Sequence, residues 1–283
     1  LKELLKNILK KLGLYYFLQG NYRQLLFNLH KFICRIKYAK YKGTGFQCNS
    51  CGASYSKFVS SYPSAENANA ITINKVIAGY GENILCPACL STARERLIIA
   101  ILKKDSKISG KKVLHFSPEK NIYNFIKINN EVITADIEPL FYKGIDKKIK
   151  KEDADATKLS FNTGSFDLVI GNHIMEHIPN DAMALQEIYR ILKPGGRAIL
   201  QIPYSEKISS TIEEPGINNP EKQSALYGQK DHIRIYLFSD YISRLQHAGF
   251  ETTVIQYSSL QQFYTFAIQN KESFINILKP ANA

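Results

Sequence analysis

Four of the five cysteines fall into two matched hooks, Cys48-x-x-Cys51 and Cys86-x-x-Cys89, with 34 residues between Cys51 and Cys86. A C-x-x-C turn brings two thiolates to one side of a tight loop, and two such turns complete a tetrahedral zinc shell. Gly52 follows the first hook and Pro87 sits inside the second, although the gap is longer than common finger spacings. Disulfides need an oxidising compartment, and a redox pair does not need a second copy. Zinc is therefore expected, in a closed four-sulfur shell with a structural role. Cys34 is left over and reads as a small apolar residue on a helix.

Acids, an amide and histidines mark the ends of later apolar runs. Asp136 follows Glu131–Ala135, Asp155-Ala156 precedes a polar loop, and Asn172-His173 follows Ser165–Ile170. An Asp at a strand end is often only a turn former, but here several such groups occur in order. Histidine titrates near neutrality, so His173, His177 and His232 are candidate bases. In Asp231-His232-x-Arg234-x-Tyr236, alternate residues of an extended chain share a face. Arg234 and Tyr236 are thus candidates for binding an acceptor through its carboxylate or phosphate. An edge strand with polar residues in water is the competing reading.

Those residues need a scaffold, and the pattern supplies one. Short strands over Lys112–Phe116, Glu131–Asp136, Ser165–Ile170 and Arg197–Ile202 alternate with helices through Phe125 and over Asp181–Leu192. Such alternation implies α/β architecture, a doubly wound parallel sheet with helices on both faces. The end differs. A helix near Tyr241–His247 is followed by apparent strands near Thr252–Gln256 and Phe263–Ile268, short enough in connection for an antiparallel edge hairpin.

The runs Asp155–Phe161 and Ser165–Ile178, with Leu192-Lys193-Pro194-Gly195-Gly196 before an apolar strand, resemble class I S-adenosylmethionine-dependent methyltransferases of the ubiquinone/menaquinone and small-molecule type. The similarity covers about residues 111–270. It implies a Rossmann-like seven-stranded sheet with S-adenosylmethionine across the strands' carboxyl ends. Carried over by position, Asp136 meets the ribose hydroxyls, Asp155 the adenine amino group with Ala156 beside it, and Asn172 and His173 lie near the methionine moiety. His177 follows Glu176 in a pair that in the family often supports the loop. The first motif departs from the family, because His115-Phe116-Ser117-Pro118-Glu119 has no glycine. Either this loop binds the cofactor by another geometry, with Glu119 facing its ammonium or ribose, or the fold has lost its activity. The segment is similar to the Leu-His-x-Ser/Ala-Pro-Glu motif of a bacterial group of zinc-containing methyltransferase-like proteins, which favours the first. The missing glycines also count against a nicotinamide-dependent dehydrogenase.

Net charge is +12 over 283 residues, but residues 1–42 hold eight Lys and two Arg against one Glu. The basicity thus belongs to an N-terminal arm, which weakens the case for a nucleic-acid groove in the body. In that arm Leu1, Leu4, Leu5, Ile8, Leu9 and Leu12, then Leu25, Leu26, Leu29, Phe32, Ile33 and Ile36, recur at helical spacing. A membrane-surface helix is one reading. A helical arm packed on its own protein, lysines to water, is the favoured one. No long apolar run or secretory signal is evident, so the cytoplasm is the default location. Three segments are expected: the basic arm (1–43), a zinc module (44–96), and a methyltransferase domain (97–283) with an acceptor-binding insertion (204–236). The leading function is methyl transfer to a small-molecule or glycan-like acceptor. The alternative is an inactive scaffold whose zinc module holds a partner protein or nucleic acid.

Overall fold

A computed structural model describes residues 14–282, apart from 106–107, 140–141, 143, 147 and 150–154. The first half of the expected arm, residues 1–13, lies outside the described residues. The described helices are α1 (Leu14–Lys37), α2 (Ala65–Ile73), α3 (Ala93–Lys104), α4 (Lys120–Ile126), α5 (Asp181–Ile191), α6 (Pro220–Tyr227) and α7 (Phe238–His247). Strands β1 (Lys42–Gln47), β2 (Ser54–Tyr55), β3 (Val59–Ser61) and β4 (Gly81–Leu85) precede the central sheet. Then come β5 (Lys112–Phe116), β6 (Glu131–Ala135), β7 (Phe166–Ile170), β8 (Leu192–Ile199), β9 (Tyr204–Ser205), β10 (Ile212–Glu213), β11 (Arg234–Leu237), β12 (Glu251–Ile255) and β13 (Phe274–Leu278). No helix among the described residues is long and apolar enough to cross a membrane.

The central sheet has the order β12-β13-β8-β7-β5-β6. Strands β6, β5, β7 and β8 run parallel, while β13 is antiparallel to both β8 and β12. Alternate residues of each strand feed opposite faces, as the two-residue period requires. Leu114, Val169, Ala198 and Ile275 pack with Leu185 and Ile188 of α5 and with Tyr241 and Leu245 of α7. Their neighbours Val113, Leu168, Ile199 and Phe274 pack with α3 and α4 on the other side. The result is a three-layer α/β sandwich. Six strands stand among the described residues where seven were expected, and the link from β6 to β7 contains positions outside them.

The edge hairpin forms, but its second strand is Phe274–Leu278 rather than Phe263–Ile268. Residues Gln261–Phe266 coil into a 3₁₀ helix instead, with Tyr257 and Tyr264 stacked at 4.6 Å and Ala267 at φ 51°. The Phe266 and Ala267 carbonyls turn inward and are claimed by Arg96, which a ladder strand would not allow.

The cysteine segment folds as two small antiparallel ladders, β1–β2 and β3–β4, plus α2. Cys48, Tyr55, Phe58 and Cys86 form its small core together with Ala267 from the chain's far end. Helix α3 continues without a break through the expected boundary at residues 96 and 97. The stretch 204–236 forms a three-stranded sheet, β10-β11-β9. It is tied to the module where Ile77 and Tyr204 exchange backbone hydrogen bonds of 2.8 and 3.2 Å.

Helix α1 corrects the expectation for the arm. It docks through Phe27, Lys31, Cys34 and Tyr38, with Arg35 Nε donating to Ala88 O at 3.0 Å. Leu25, Leu26, Leu29, Phe32, Ile33 and Ile36 are instead 44–64% exposed. The stripe faces outward because the inward face is one residue wide per turn and is already filled.

Arg96 welds these parts together. Its side chain is fully buried and stacks over Phe58 at 4.8 Å. The guanidinium donates to the carbonyls of Phe266 (2.6 Å), Ala267 (2.6 Å), Asn83 (3.0 Å), Ile84 (3.1 Å) and Ser91. Removing it orphans several buried acceptors at once, so Arg96→Ala is expected to destabilise the fold by on the order of 3 kcal/mol. Urea unfolding measures this; a loss under about 0.5 kcal/mol, typical of surface positions, contradicts the role.

Candidate functional site

The two cysteine hooks meet. Cys48 Sγ lies 3.6 Å from Cys89 Sγ and Cys51 Sγ 3.8 Å from Cys86 Sγ, and all four sulfurs fall within 4.8 Å of one another. Zinc–sulfur bonds of about 2.3 Å in a tetrahedron set a sulfur–sulfur edge of about 3.8 Å, so the spacing fits zinc. A disulfide, at about 2.05 Å, does not fit. The hooks share a fold: Gly52 N donates to Cys48 O (2.7 Å) and Leu90 N to Cys86 O (2.8 Å). Each hook is closed by a residue at positive φ, Gly52 at 78° and Leu90 at 60°. Ser91 Oγ stands 3.1 Å from Cys48 Sγ and 3.3 Å from Cys89 Sγ. Hydrogen bonds within the cluster drive the Cys48 thiol down and the Cys86 thiol up, the behaviour of thiols too close to ionise together without a cation.

At the carboxyl ends of β5, β6 and β7 opens a cavity of about 670 Å³, lined by Phe116, Ser117, Asp136, Tyr142, Ala156 and His173 among others. Asp136 is nearly buried and rigidly held: Ser117 Oγ donates to its Oδ2 and Glu138 N to its Oδ1, each at 2.7 Å. Tyr142 beside it has its hydroxyl pushed up to about 12 by burial and by the Asp136 charge. Ser117 takes φ 44°, so the turn that glycine usually makes is made here without one, at a cost in strain. Asp155 stands apart from its expected place. Its side chain is exposed, and its Oδ1 accepts from Thr157 N (2.9 Å) and Thr157 Oγ1 (2.7 Å). Only Ala156 of that pair lines the cavity.

Glu119, at the N-cap of α4, gathers the first motif. Its carboxylate accepts from Asn172 Nδ2 (3.1 Å) and Arg94 Nε (3.3 Å) and lies 3.4 Å from His115 Nε2. Burial pushes this carboxyl up, but the His115 contact and the Arg94 charge outweigh it and hold it below the usual range. His115 is fully buried and Phe116 nearly so. His115 thus backs the loop, while Phe116 faces the cavity. Pro118 is buried as well. Asn172 Oδ1 is buried without a hydrogen-bond partner among the described residues.

A second cavity of about 280 Å³ adjoins the first and shares His173, His177 and Gln229 with it. Its wall includes Tyr80, Arg94, Glu176 and His232. His173, at φ 52°, places Nδ1 3.3 Å from Glu176 Oε1, and His232 Nε2 lies 3.8 Å from the same oxygen. His177 and His232 stack edge to face with centroids 4.8 Å apart. Burial keeps His173 neutral, well below the usual imidazole range, and takes His232 down to about 3. Burial pushes the Glu176 carboxyl up to about 8. The three candidate histidines therefore do converge.

Arg234 and Tyr236 do not join them. Arg234 is 4% exposed and donates to the Met175, Ile178 and Pro179 carbonyls and to Glu213 Oε2. The Tyr236 hydroxyl donates to Asp181 Oδ2 at 2.6 Å. Both engage the protein itself because β11 is the middle strand of its small sheet rather than an edge, although Arg234 also borders a separate cavity with Asp181, Glu213 and Arg244. Arg94, Arg96 and Tyr142 went unread in sequence. The signal for the first two was present: Cys89-Leu-Ser-Thr-Ala-Arg94-Glu95-Arg96 places charges in an N-capped first turn directly after a hook.

A methyltransferase-domain family matches residues 120–200. The ubiquinone/menaquinone biosynthesis C-methyltransferase UbiE of Brucella anthropi is 26% identical over 140 residues, 44% of this chain and 52% of that protein. UbiE of Idiomarina loihiensis is 28% identical over 87 residues, 31% of this chain and 34% of that one. The chain thus spans about half or less of these curated relatives. Among solved structures, an S-adenosylmethionine-dependent methyltransferase from Mesorhizobium loti aligns at a TM-score of 0.44 and 15% identity, covering 65% of this chain and 95% of that one. Phosphoethanolamine N-methyltransferase 2 of Haemonchus contortus, solved with S-adenosyl-L-methionine, aligns at 0.44 and 16%, covering 64% and 52%.

Proposed function

We propose that the protein transfers a methyl group from S-adenosylmethionine to a small-molecule or glycan-like acceptor, with zinc holding the cysteine module as a structural ion. One observation carries the reading: a cavity at the sheet's carboxyl ends, floored by the braced Asp136, opens through His173 into a second polar cavity. The methyltransferase-family match over residues 120–200 supports it.

The residues present fit the cofactor. Asp136 has an oriented carboxylate for two ribose hydroxyls, and Ala156 supplies backbone beside the adenine. Asn172 Oδ1, without a partner among the described residues, would accept from the methionine ammonium, which the Glu119 charge would attract. The cofactor, when bound, supplies an electrophilic methyl on a sulfonium. Displacement at that carbon is in line, so positioning and exclusion of water supply most of the acceleration. His173 borders both cavities and burial holds it neutral, so its imidazole would orient an oxygen or nitrogen acceptor by hydrogen bonding rather than act as a strong base. The module, through Ala78, Gly79, Tyr80 and Ile84, and the 204–236 insertion, through Gln229 and His232, line the second cavity. An inactive scaffold would have no need of a braced acid lining a cavity at the carboxyl ends of the strands.

Calorimetric titration with S-adenosylmethionine tests this. Saturable binding is expected, with Asp136→Ala weaker by about 1–3 kcal/mol for the loss of a charged hydrogen-bond partner. No binding by the wild type at millimolar ligand rejects the proposal. For the metal, Cys48→Ser and Cys86→Ser are each expected to lose one equivalent of zinc relative to the wild type and to melt earlier. Unchanged zinc content in both, by elemental analysis, refutes the four-cysteine site.

A further inference from the structure

The Glu176 carboxylate is an unsolved cost in the fold as described so far. It is fully buried, and neither oxygen has a hydrogen-bond partner among the described residues. A buried, unpaired carboxylate is expensive unless a cation compensates it. Around it stand imidazoles rather than arginine or lysine: His232 Nε2 at 3.8 Å and His173 Nδ1 at 3.3 Å. One ligand atom each from Glu176, His177 and His232 falls within 4.8 Å of the others. We propose that Glu176, His177 and His232 form a second metal site, for a divalent transition ion, in the wall of the smaller cavity.

The neighbouring groups are arranged as such a site requires. His177 Nδ1 lies 3.0 Å from the Asp231 carbonyl, which can only accept, so the proton sits on Nδ1 and Nε2 is bare. Backing of a ring by a carbonyl is the usual way a metal-bound histidine is fixed. His232 presents Nε2 towards Glu176. Two imidazoles and one carboxylate suit zinc, iron(II) or cobalt(II), and leave coordination positions open. All three residues line the cavity, so those positions face it and take water or a ligand oxygen. The charge of nearby Arg94 is answered by Glu119 at 3.3 Å.

The test is calorimetric titration of cobalt(II) into the full chain carrying a single equivalent of zinc, which the four thiolates take first. Cobalt binds nitrogen and sulfur ligands less tightly than zinc and so leaves the cysteine site alone. One saturable equivalent is expected, weakened at least tenfold in Glu176→Gln and in His232→Ala. S-adenosylmethionine titration of the same samples reports separately on the methyl-transfer reading and on folding. If either variant fails to fold, His177→Ala, with a side chain 31% exposed, carries the comparison. Absence of a saturable equivalent in the wild type, or unchanged affinity in the folded variants, overturns the proposal. The first outcome would mean that Glu176 is simply protonated.

A separate surface supports a second inference. Tyr22, Leu25, Leu26, Leu29, Phe32, Ile33 and Ile36 follow a three-four spacing on α1, and all are exposed. The opposite face is already docked, so the stripe is turned away from the protein. No acidic residue occurs from Leu4 to Ala65, while Lys37, Lys40 and Lys42 stand exposed at the helix's end and just after it. We infer that α1 lies on an anionic membrane surface, its apolar stripe in the interface and its cations at the headgroups. The full chain should co-sediment with phosphatidylserine-containing vesicles, lose most of that binding in high salt, and lose it at least tenfold in Leu29→Glu/Phe32→Glu. Equal binding to neutral vesicles, or no binding, refutes it. So does a vesicle-independent dimer that the double variant dissociates, which would assign the stripe to a second copy.

Discussion

A single buried cation holds three distant stretches of chain in register. Arg96 forms no ion pair among the described residues, though the Glu95 charge acts on it; its hydrogen bonds go to backbone carbonyls from the β4 region, the second hook and the 266–267 turn. Carbonyl dipoles alone compensate a desolvated guanidinium poorly. Burial indeed lowers its hold on the proton, while Cys48, Cys86 and Cys89 act in the opposite sense. Four thiolates around zinc carry a net charge of about −2. On the proposed reading, that cluster is the counterion Arg96 otherwise lacks, so metal and arginine stabilise one another across a few ångströms.

From this constraint the first turn of α3 distributes order outward. Thr92 and Glu95 close a capping box, which fixes the helix start directly behind the hook. Glu95 then accepts from Asn121 N (3.1 Å) and Asn121 Nδ2 (2.9 Å), locking α3 to the start of α4. Arg94 reaches Glu119, and through it Asn172 and the first motif. Consecutive residues thus serve the cavity, the neighbouring helix and the cysteine core. The module is accordingly built into the site rather than appended to it.

Much of this was readable in the residues, and the gaps have physical causes. The meeting of the hooks was legible because C-x-x-C spacing is local, and the place of Asp136 at the sheet's carboxyl end because it follows an apolar run on a parallel strand. The parallel sheet followed from its alternation. Arg234 and Tyr236 were misjudged because a two-residue period tells which residues share a face but not whether that face meets solvent. The Phe263–Ile268 run looked like a strand because apolar content does not distinguish a ladder from a plug of stacked rings. Asp155 satisfied a motif, yet its own Thr157 turn engaged the carboxylate first. On α1 the stripe itself was visible in sequence. Which face docks was decided by Phe27, Cys34 and Tyr38, a narrower and less obvious row.

The reach of Arg96 also sets an order of events during synthesis. Its Phe266 and Ala267 acceptors lie 170 and 171 residues downstream. When the cysteine hooks leave the ribosome, the guanidinium just after them has only its local carbonyls. Contacts so far apart in sequence close late, after much chain entropy has been lost. The module can gather its ligands early but cannot become rigid until the turn before β13 arrives. A nascent chain is therefore open longest at the face of the cysteine module that the 266–267 turn covers.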